Sequence, residues 1–351
     1  MDQQELRDIM GSVRNDAKAA LLRTLTAALA GPYAALMRMR RQGYRQHPSK
    51  SISVGVPVIS VGNITTGGTG KTPMVAWLVE QLAASGRKPA VVTRGYMTSG
   101  QASDEAQLLR QGESGPVKVF VDPDRVAAAR AAVADGADVI VMDDGFQHRR
   151  LRRDLDIVLI DAINPFGFGH CLPRGLLREP LSALADADVL VITHSDLIEP
   201  VELSGLQRKL AELAPRAMIA LAEHEPTTVR DPDNEEFDAH LLDGLVVCAF
   251  CGLGNPDAFF RTLKKLGCQM VATIPFDDHA AYNAVQIDRI MNAVASSHAQ
   301  VLVTTAKDKV KILPAQSLPL PLLVLNMRMK LSQGQAELWN KVEKVLMGHK
   351  A

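Results

Sequence analysis

Pro57-Val58-Ile59-Ser60-Val61-Gly62-Asn63-Ile64-Thr65-Thr66-Gly67-Gly68-Thr69-Gly70-Lys71-Thr72-Pro73 is the stretch whose reading decides the fold. A short β-branched apolar run, the pattern of a buried strand, feeds a glycine-rich loop closed by Lys-Thr. The apolar residues that follow, Met74, Val75, Trp77, Leu78 and Leu82, recur at helical spacing. Strand, glycine loop and helix in that order make a phosphate-binding loop. Its glycines let backbone N–H groups turn toward a polyphosphate, and the helix N-terminus adds the positive end of its dipole. In this reading Thr65, Thr66, Gly67, Gly68, Thr69, Gly70, Lys71 and Thr72 form the cradle. Lys71 reaches the outer phosphates and the Thr72 hydroxyl ligates Mg²⁺. The strict pattern has glycine where this chain has Thr65, so the loop is a variant. The chain is expected to bind a nucleoside triphosphate.

Around the loop, apolar strand-like runs alternate with helical patterns. Strands are expected at 57–61, 90–93, 117–121, 139–142, 157–160, 189–193 and 218–222, with helices over 72–84, 125–134 and 206–213. Continuous apolar strands separated by helices predict a parallel sheet covered on both faces. A polar, acidic stretch at 224–241 reads as a linker or exposed hairpin, and a second alternating block follows from Leu245. That block predicts strands near 245–250, 270–274, 301–304 and 322–325 and helices near 256–266 and 286–295. The expected division is a segment 1–50, an ATP-binding α/β domain 51–223, the linker, and a C-terminal α/β domain 242–351. The fold class is thus α/β, a doubly wound P-loop NTPase-like sheet with a second, smaller α/β lobe.

Composition narrows the function classes. The 351-residue chain is 47% hydrophobic and 22% charged, ordinary for globular structure. Lys+Arg and Asp+Glu balance at 39 each, so bulk positive charge for a nucleic-acid partner is missing and none is expected. Cys248 and Cys251 form a C-x-x-C inside an apolar strand pattern with no second pair nearby, and read as buried thiols rather than a metal or redox site. At the N-terminus Leu21, Leu22, Leu25, Leu29, Tyr33, Leu36 and Met37 recur at helical spacing, and Arg38, Arg40, Arg41, Arg45 and Lys50 follow. That pattern suits a helix lying in a membrane interface, and equally a soluble helix packed on the core with a solvated basic end.

Asp138-Val139-Ile140-Val141-Met142-Asp143-Asp144-Gly145 delivers two carboxylates at the end of an apolar strand, where ligands bind in open α/β sheets. Asp143 is the candidate Mg²⁺ ligand; Asp144 either backs it or orients the nucleophile.

Taken together, these motifs resemble the tetraacyldisaccharide 4′-kinase family. Val61 through Pro73 match its loop V-G-N-L-T-x-G-G-T-G-K-T-P with Ile64 for Leu, and Asp143-Asp144-Gly145-Phe146-Gln147-His148 matches its D-D-G-L-Q-H. Thr93-Arg94-Gly95-Tyr96, Pro123-Asp124-Arg125-Val126, Leu172-Pro173-Arg174-Gly175 and Leu177-Arg178-Glu179-Pro180 match as well. So do Gly252-Leu253-Gly254-Asn255-Pro256, Asp278-His279 and Lys307-Asp308. The resemblance implies transfer of the ATP γ-phosphate to the 4′-hydroxyl of a tetraacylated diglucosamine 1-phosphate. It implies a monotopic or peripheral protein on the cytoplasmic face of the inner membrane, with an N-terminal membrane-interface helix; a monomer is expected. It also implies that Asp104, paired with His279, takes the hydroxyl proton, that Lys71, Arg125 and Arg178 supply cations, and that Glu105 joins Thr72, Asp143 and Asp144 around Mg²⁺.

This chain departs from the family in having Ser103 where a glycine precedes the Asp-Glu pair, and in a shorter connection from Tyr96 to Asp104. The cluster Arg149, Arg150, Arg152 and Arg153 reads as a solvated basic turn, with a contact to the substrate's 1-phosphate as the alternative. Two rival functions remain: a P-loop ATPase switch of the partitioning or metal-insertion type, and a nucleotide-regulated membrane adaptor. The switch class carries a signature Lys where this chain has Thr66.

Overall fold

The computed structural model of the chain describes residues 3–95, 117–278, 280–312 and 318–349. Two compact units divide it, Met1–Glu223 with Leu331–Ala351, and His224–Lys330.

In the first unit the glycine loop follows β1 (Val58–Asn63), as the apolar run predicts. On one side of β1 lie β4 (Val139–Asp143), β2 (Pro89–Thr93) and β3 (Lys118–Val121); on the other lie β5 (Leu155–Asp161), β6 (Val189–Thr193) and the start of β7 (Met218–Arg230). The pairings of β1 with β4 and β5, of β2 with β3 and β4, and of β6 with β5 and β7 are all parallel. Every residue of β1, β4, β5 and β6 is buried. This is why their sequences are mainly apolar rather than alternating: both faces are covered, and the polar residues they hold, such as Ser60, Asp156 and Thr193, are themselves buried. One cluster packs Ala90, Val92, Val126, Ala129 and Met142, and another gathers Ile64, Phe146, Val158, Leu190 and Leu210. Because the sheet grows in both directions from β1, the loops after β1 and β4 meet at the switch point where such sheets bind ligands.

The N-terminal residues form α1 (Gln3–Met10) and the 30-residue α2 (Ala17–Gln46). Asp16 caps α2 by accepting from the Ala19 amide at 3.1 Å. Pro32 lies within α2 without ending it. The glycine loop leads into α3 (Lys71–Ala84), and α4 (Arg125–Ala134) is capped by Asp124.

The second unit holds β9 (Val246–Cys251) between β10 (Gln269–Pro275) and β11 (Val301–Thr305), with β11 parallel to β12 (Leu322–Gln333). Cys248 and Cys251 point into different core clusters and are buried free thiols. Among the described residues no group of three or more His, Cys, Asp and Glu side chains is gathered as a metal cage.

Of the two forms expected for residues 224–241, the hairpin is the one observed: most of β7, the short exposed strand β8 (Glu236–Asp238) paired antiparallel to it, and a 3₁₀ turn over Ala239–Leu242 occupy them, where the expected domain division has a linker. One boundary differs from the expectation. Residues 331–351, expected in the second lobe, belong to the first unit, because a C-terminal helix over Gln335–Gly348 buries Leu338, Val342 and Leu346 there.

Gly62 in β1 is a close-approach position: a Cβ there would lie 2.7 Å from the backbone nitrogen and Cβ of Phe146. Gly62→Ala is therefore expected to destabilise the chain by about 1–3 kcal/mol through overpacking, read as a lower urea midpoint. Gly205→Ala, in the helix Pro200–Leu213 with open space around it, is expected to stabilise by up to about 1 kcal/mol.

Candidate active site

The glycine loop is held open from behind by polar side chains. Gly70 adopts φ 85° as the residue before α3, a left-handed turn that glycine makes without a Cβ clash. It brings Lys71 and Thr72 into the first turn of the helix. The Asn63 side-chain amide donates to Thr69 Oγ1 at 2.8 Å, and the Thr193 hydroxyl donates to the Thr69 carbonyl at 3.0 Å. The Gln147 amide donates to the Asn63 carbonyl at 2.7 Å. Asn63 and Gln147 lie within the quoted motifs, yet their part in bracing the loop was not anticipated. A polar residue ending a fully buried strand, as Asn63 does, is the signal that could have pointed to it.

A second short ladder sets Arg178 beside the same loop. Thr65 pairs antiparallel with Leu177, the Thr66 amide donates to the Leu176 carbonyl at 2.8 Å, and the Arg178 amide donates to the Ile64 carbonyl at 2.7 Å. The Arg178 guanidinium then reaches Asp144, its Nη1 lying 2.8 and 2.7 Å from the two carboxylate oxygens. Lys71 Nζ sits 3.7 Å from Asp144 Oδ1. Arg125, the buried first residue of α4, donates through Nη2 to the Asp143 carbonyl at 3.4 Å. Asp143 closes β4, buried, and accepts from the Thr93 hydroxyl at 3.3 Å. Asp144 follows in a left-handed conformation, φ 49°.

Lys71, Asp143, Asp144, Arg125 and Arg178 are thus brought together, with Thr72 next to Lys71 in the first turn of α3 and Thr65, Thr66, Gly67, Gly68, Thr69 and Gly70 forming the loop before it. Asp104, Glu105 and His279 lie outside the described residues. The basic cluster splits. Arg150 and Arg152 are exposed, as a solvated turn requires. Arg149 is instead buried on Glu179 and Asp186, and Arg153 reaches the Gly145 and Phe146 carbonyls and Asp156. Burial of these two follows from the carboxylates and carbonyls that face them, since an enclosed guanidinium needs paired acceptors.

Electrostatics separate Asp144 from the acid of an ordinary turn. Burial alone would raise the Asp144 carboxyl, but Lys71, Arg178 and Arg125 together outweigh it and hold it below the usual range. The residue is a firm anion and a poor proton acceptor. The hard oxygens of Asp143, Asp144 and the Thr72 hydroxyl are the ligand type Mg²⁺ takes, and one or two carboxylates with phosphate oxygens and water are its habitual set. These residues therefore fit the ion.

The comparisons agree with this geometry. Residues 22–347 match the family model described as tetraacyldisaccharide-1-P 4′-kinase. The chain belongs to the tetraacyldisaccharide 4′-kinase family. It is 38% identical over 303 residues to the tetraacyldisaccharide 4′-kinase of Anaeromyxobacter dehalogenans, covering 81% of this chain and 80% of that one. It is 38% identical over 316 residues to that of Geobacter metallireducens, covering 85% and 90%. The crystal structure of LpxK from Aquifex aeolicus in complex with ATP matches with a TM-score of 0.68 and 26% identity, covering 93% of this chain and 99% of that one. Kinase activity in lipid A synthesis is the function these relationships support, and the switch-ATPase alternative is not favoured.

His148, the last residue of the acidic motif, gives a pH signature. Burial, with Arg125 and Arg153 nearby, pushes its pKa from 6.5 down to about 4. A lowered folded value means the stability it contributes is complete above pH 6.5 and is lost as pH falls through about 4. Asp156, pushed up by burial to about 6, acts in the opposite sense, its contribution being lost as pH rises through that value. His148→Gln isolates the histidine: the gap in urea midpoint between the native chain and the variant is expected to narrow from pH 6.5 to 4. A gap constant over that range would show that His148 does not titrate there.

Proposed function

We propose that this kinase transfers the γ-phosphate of ATP to the 4′-hydroxyl of a tetraacylated diglucosamine 1-phosphate, with Lys71, Arg125 and Arg178 neutralising charge on the transferring group. The observation that carries the reading is the convergence of Lys71 and Arg178 on Asp144, at 3.7 and 2.7 Å, beside the glycine loop. Phosphoryl transfer depends on positioning and charge neutralisation more than on covalent help from the protein. In the reaction the acceptor oxygen forms a bond to the γ-phosphorus as the bond to the leaving ADP oxygen breaks. The hydroxyl proton needs an acceptor, and Asp144, anchored by its cations, is ill suited to it. The family resemblance implies that Asp104 and His279 take the proton, and we assign Asp144 to orienting cations. Mg²⁺ would be held by Thr72, Asp143 and Asp144, to which the family resemblance adds Glu105, and when bound it offsets charge on the phosphates.

Membrane attachment through α2 belongs to the same reading. Leu21, Leu25, Leu29, Leu36 and Met39 are each more than half exposed, at 54–64%. At about 100° per residue they fall within an arc of roughly 80°. A single apolar stripe open to the surroundings, ending in basic residues, is how a helix lies in an anionic interface. We place the chain on the cytoplasmic face of the inner membrane, where its lipid acceptor resides. Arg41 is not among the basic residues offered to lipid, because it is paired with Asp186.

Radiolabelled ATP and the purified disaccharide lipid test the reaction directly: label is expected on the 4′ position. Fast hydrolysis of ATP without the lipid, and no labelled product, would restore the switch-ATPase reading. Lys71→Ala and Asp144→Ala are expected to abolish lipid phosphorylation while circular dichroism stays native. His279→Ala is expected to lose roughly 10²-fold or more in turnover. Leu25→Asp combined with Leu29→Asp changes only exposed positions and is expected to release the protein from anionic vesicles in sedimentation. Undiminished sedimentation would remove the stripe from the attachment.

A further inference from the structure

Helix α2 touches the segment that carries Arg178 at both of its ends. Tyr33 Oη donates to the Arg178 carbonyl at 3.0 Å. The Arg178 amide on the other side of the same residue donates to the Ile64 carbonyl, at the start of the glycine loop. Arg178 is thus a knot: its N–H is tied to the nucleotide loop, its C=O to α2, and its guanidinium to Asp144.

Eight residues further along α2, Arg41 grips Asp186 with a two-pronged pair, Nε at 2.6 Å and Nη2 at 2.8 Å. The two anchor positions are about 12 Å apart along the helix axis. Asp186 also accepts from Arg149 Nη1 at 3.0 Å, and Arg149 Nη2 reaches Glu179 Oε2 at 3.2 Å. Arg149 and Glu179 are buried. The chain from Arg178 to Asp186 is therefore pinned to α2 at its first and last residues and stiffened between by a buried arginine. Replacing such buried ion pairs by apolar residues often costs nothing in stability. Their value lies in the fixed geometry they impose, and a bidentate guanidinium imposes more of it than an ammonium could.

We propose that Tyr33 and Arg41 are positioning residues for phosphoryl transfer: through them the seating of α2 on the core sets the placement of Arg178. The apolar stripe of α2 and these two anchors are separate positions on one helix, so the helix that meets the lipid phase also aligns a cation of the active site. The proposal rests on the reading of Arg178 as a charge-neutralising residue.

The test is a double-mutant cycle on the full chain with detergent-dispersed lipid. Tyr33→Phe keeps the ring and removes the donor; Arg41→Lys keeps the charge and removes the fork. Each is expected to lower kcat about 3- to 10-fold, the worth of one hydrogen bond to a positioned group, with KM for ATP, vesicle sedimentation and melting temperature unchanged. In an Arg178→Ala background, Tyr33→Phe is expected to change kcat by less than about twofold, because its effect passes through the missing side chain. Native kcat in both single variants would overturn the proposal. So would losses that multiply fully in the Arg178→Ala background, or losses that track a lowered melting temperature. Native turnover in Arg178→Ala alone would overturn the reading of Arg178 itself, a result distinct from the others.

Discussion

The arrangement depends on one carboxylate held in an uncommon backbone conformation. Asp144 adopts φ 49°, a region that costs a non-glycine residue roughly 1–2 kcal/mol. Continuing β4 in extended form would turn its side chain to one face of the sheet; from the left-handed turn it meets Lys71 and Arg178. The parallel register that pairs Val61 with Asp143 sets this turn beside the end of β1. Two cations on one partly buried carboxylate offset the local strain. In exchange Lys71, the strand-end acids and the Arg178 segment share a single reference point.

Behind that point the site is braced by neutral hydrogen bonds. Asn63, Thr69, Thr193 and Gln147 link the glycine loop to the ends of β1 and β6 and to the acidic motif. Each bond contributes about 1 kcal/mol net, but leaving such a buried group without its partner costs about 1–3 kcal/mol. The asymmetry makes the loop's open shape the cheapest arrangement of these side chains. A loop preset in this way needs little reorganisation when charge develops on a transferring phosphate, which is where enzymes gain most from fixed dipoles.

What could be read from the sequence follows the same physics. Strands buried on both faces appear as unbroken apolar runs, so β6 matches its expected limits and β1, β2 and β4 match within a residue or two. The second halves of β7 and β12 did not show, because their residues are only partly buried and mix charged with apolar side chains. The C-terminal helix was missed since its apolar face, Leu338, Val342 and Leu346, is sparse. Within the site, glycines, Lys71 and the paired aspartates carry the spacing of a phosphate-binding loop and its acidic strand end. Arg149 and Arg150 carry no such mark. One is buried on Glu179 and Asp186 and the other is half-exposed on Asp124, and that difference lies in partners about 30 residues away along the chain.

The geometry of α2 ties these observations to the substrate problem. Taking Leu21 as the origin and about 100° per residue, the exposed stripe spans roughly 0–80°, while Tyr33 and Arg41 fall near 120° and 200°. Stripe and anchors therefore occupy adjoining sectors without overlapping, and the helix need not turn to present both. An acceptor whose acyl chains stay in lipid and a donor dissolved in water meet only at the boundary between the two phases. A helix whose apolar sector rests in lipid fixes the height of whatever its polar sector grips. Here the polar sector grips the segment that begins with Arg178, so in the membrane seating we propose, the depth of the helix would set the height of the Arg178 guanidinium.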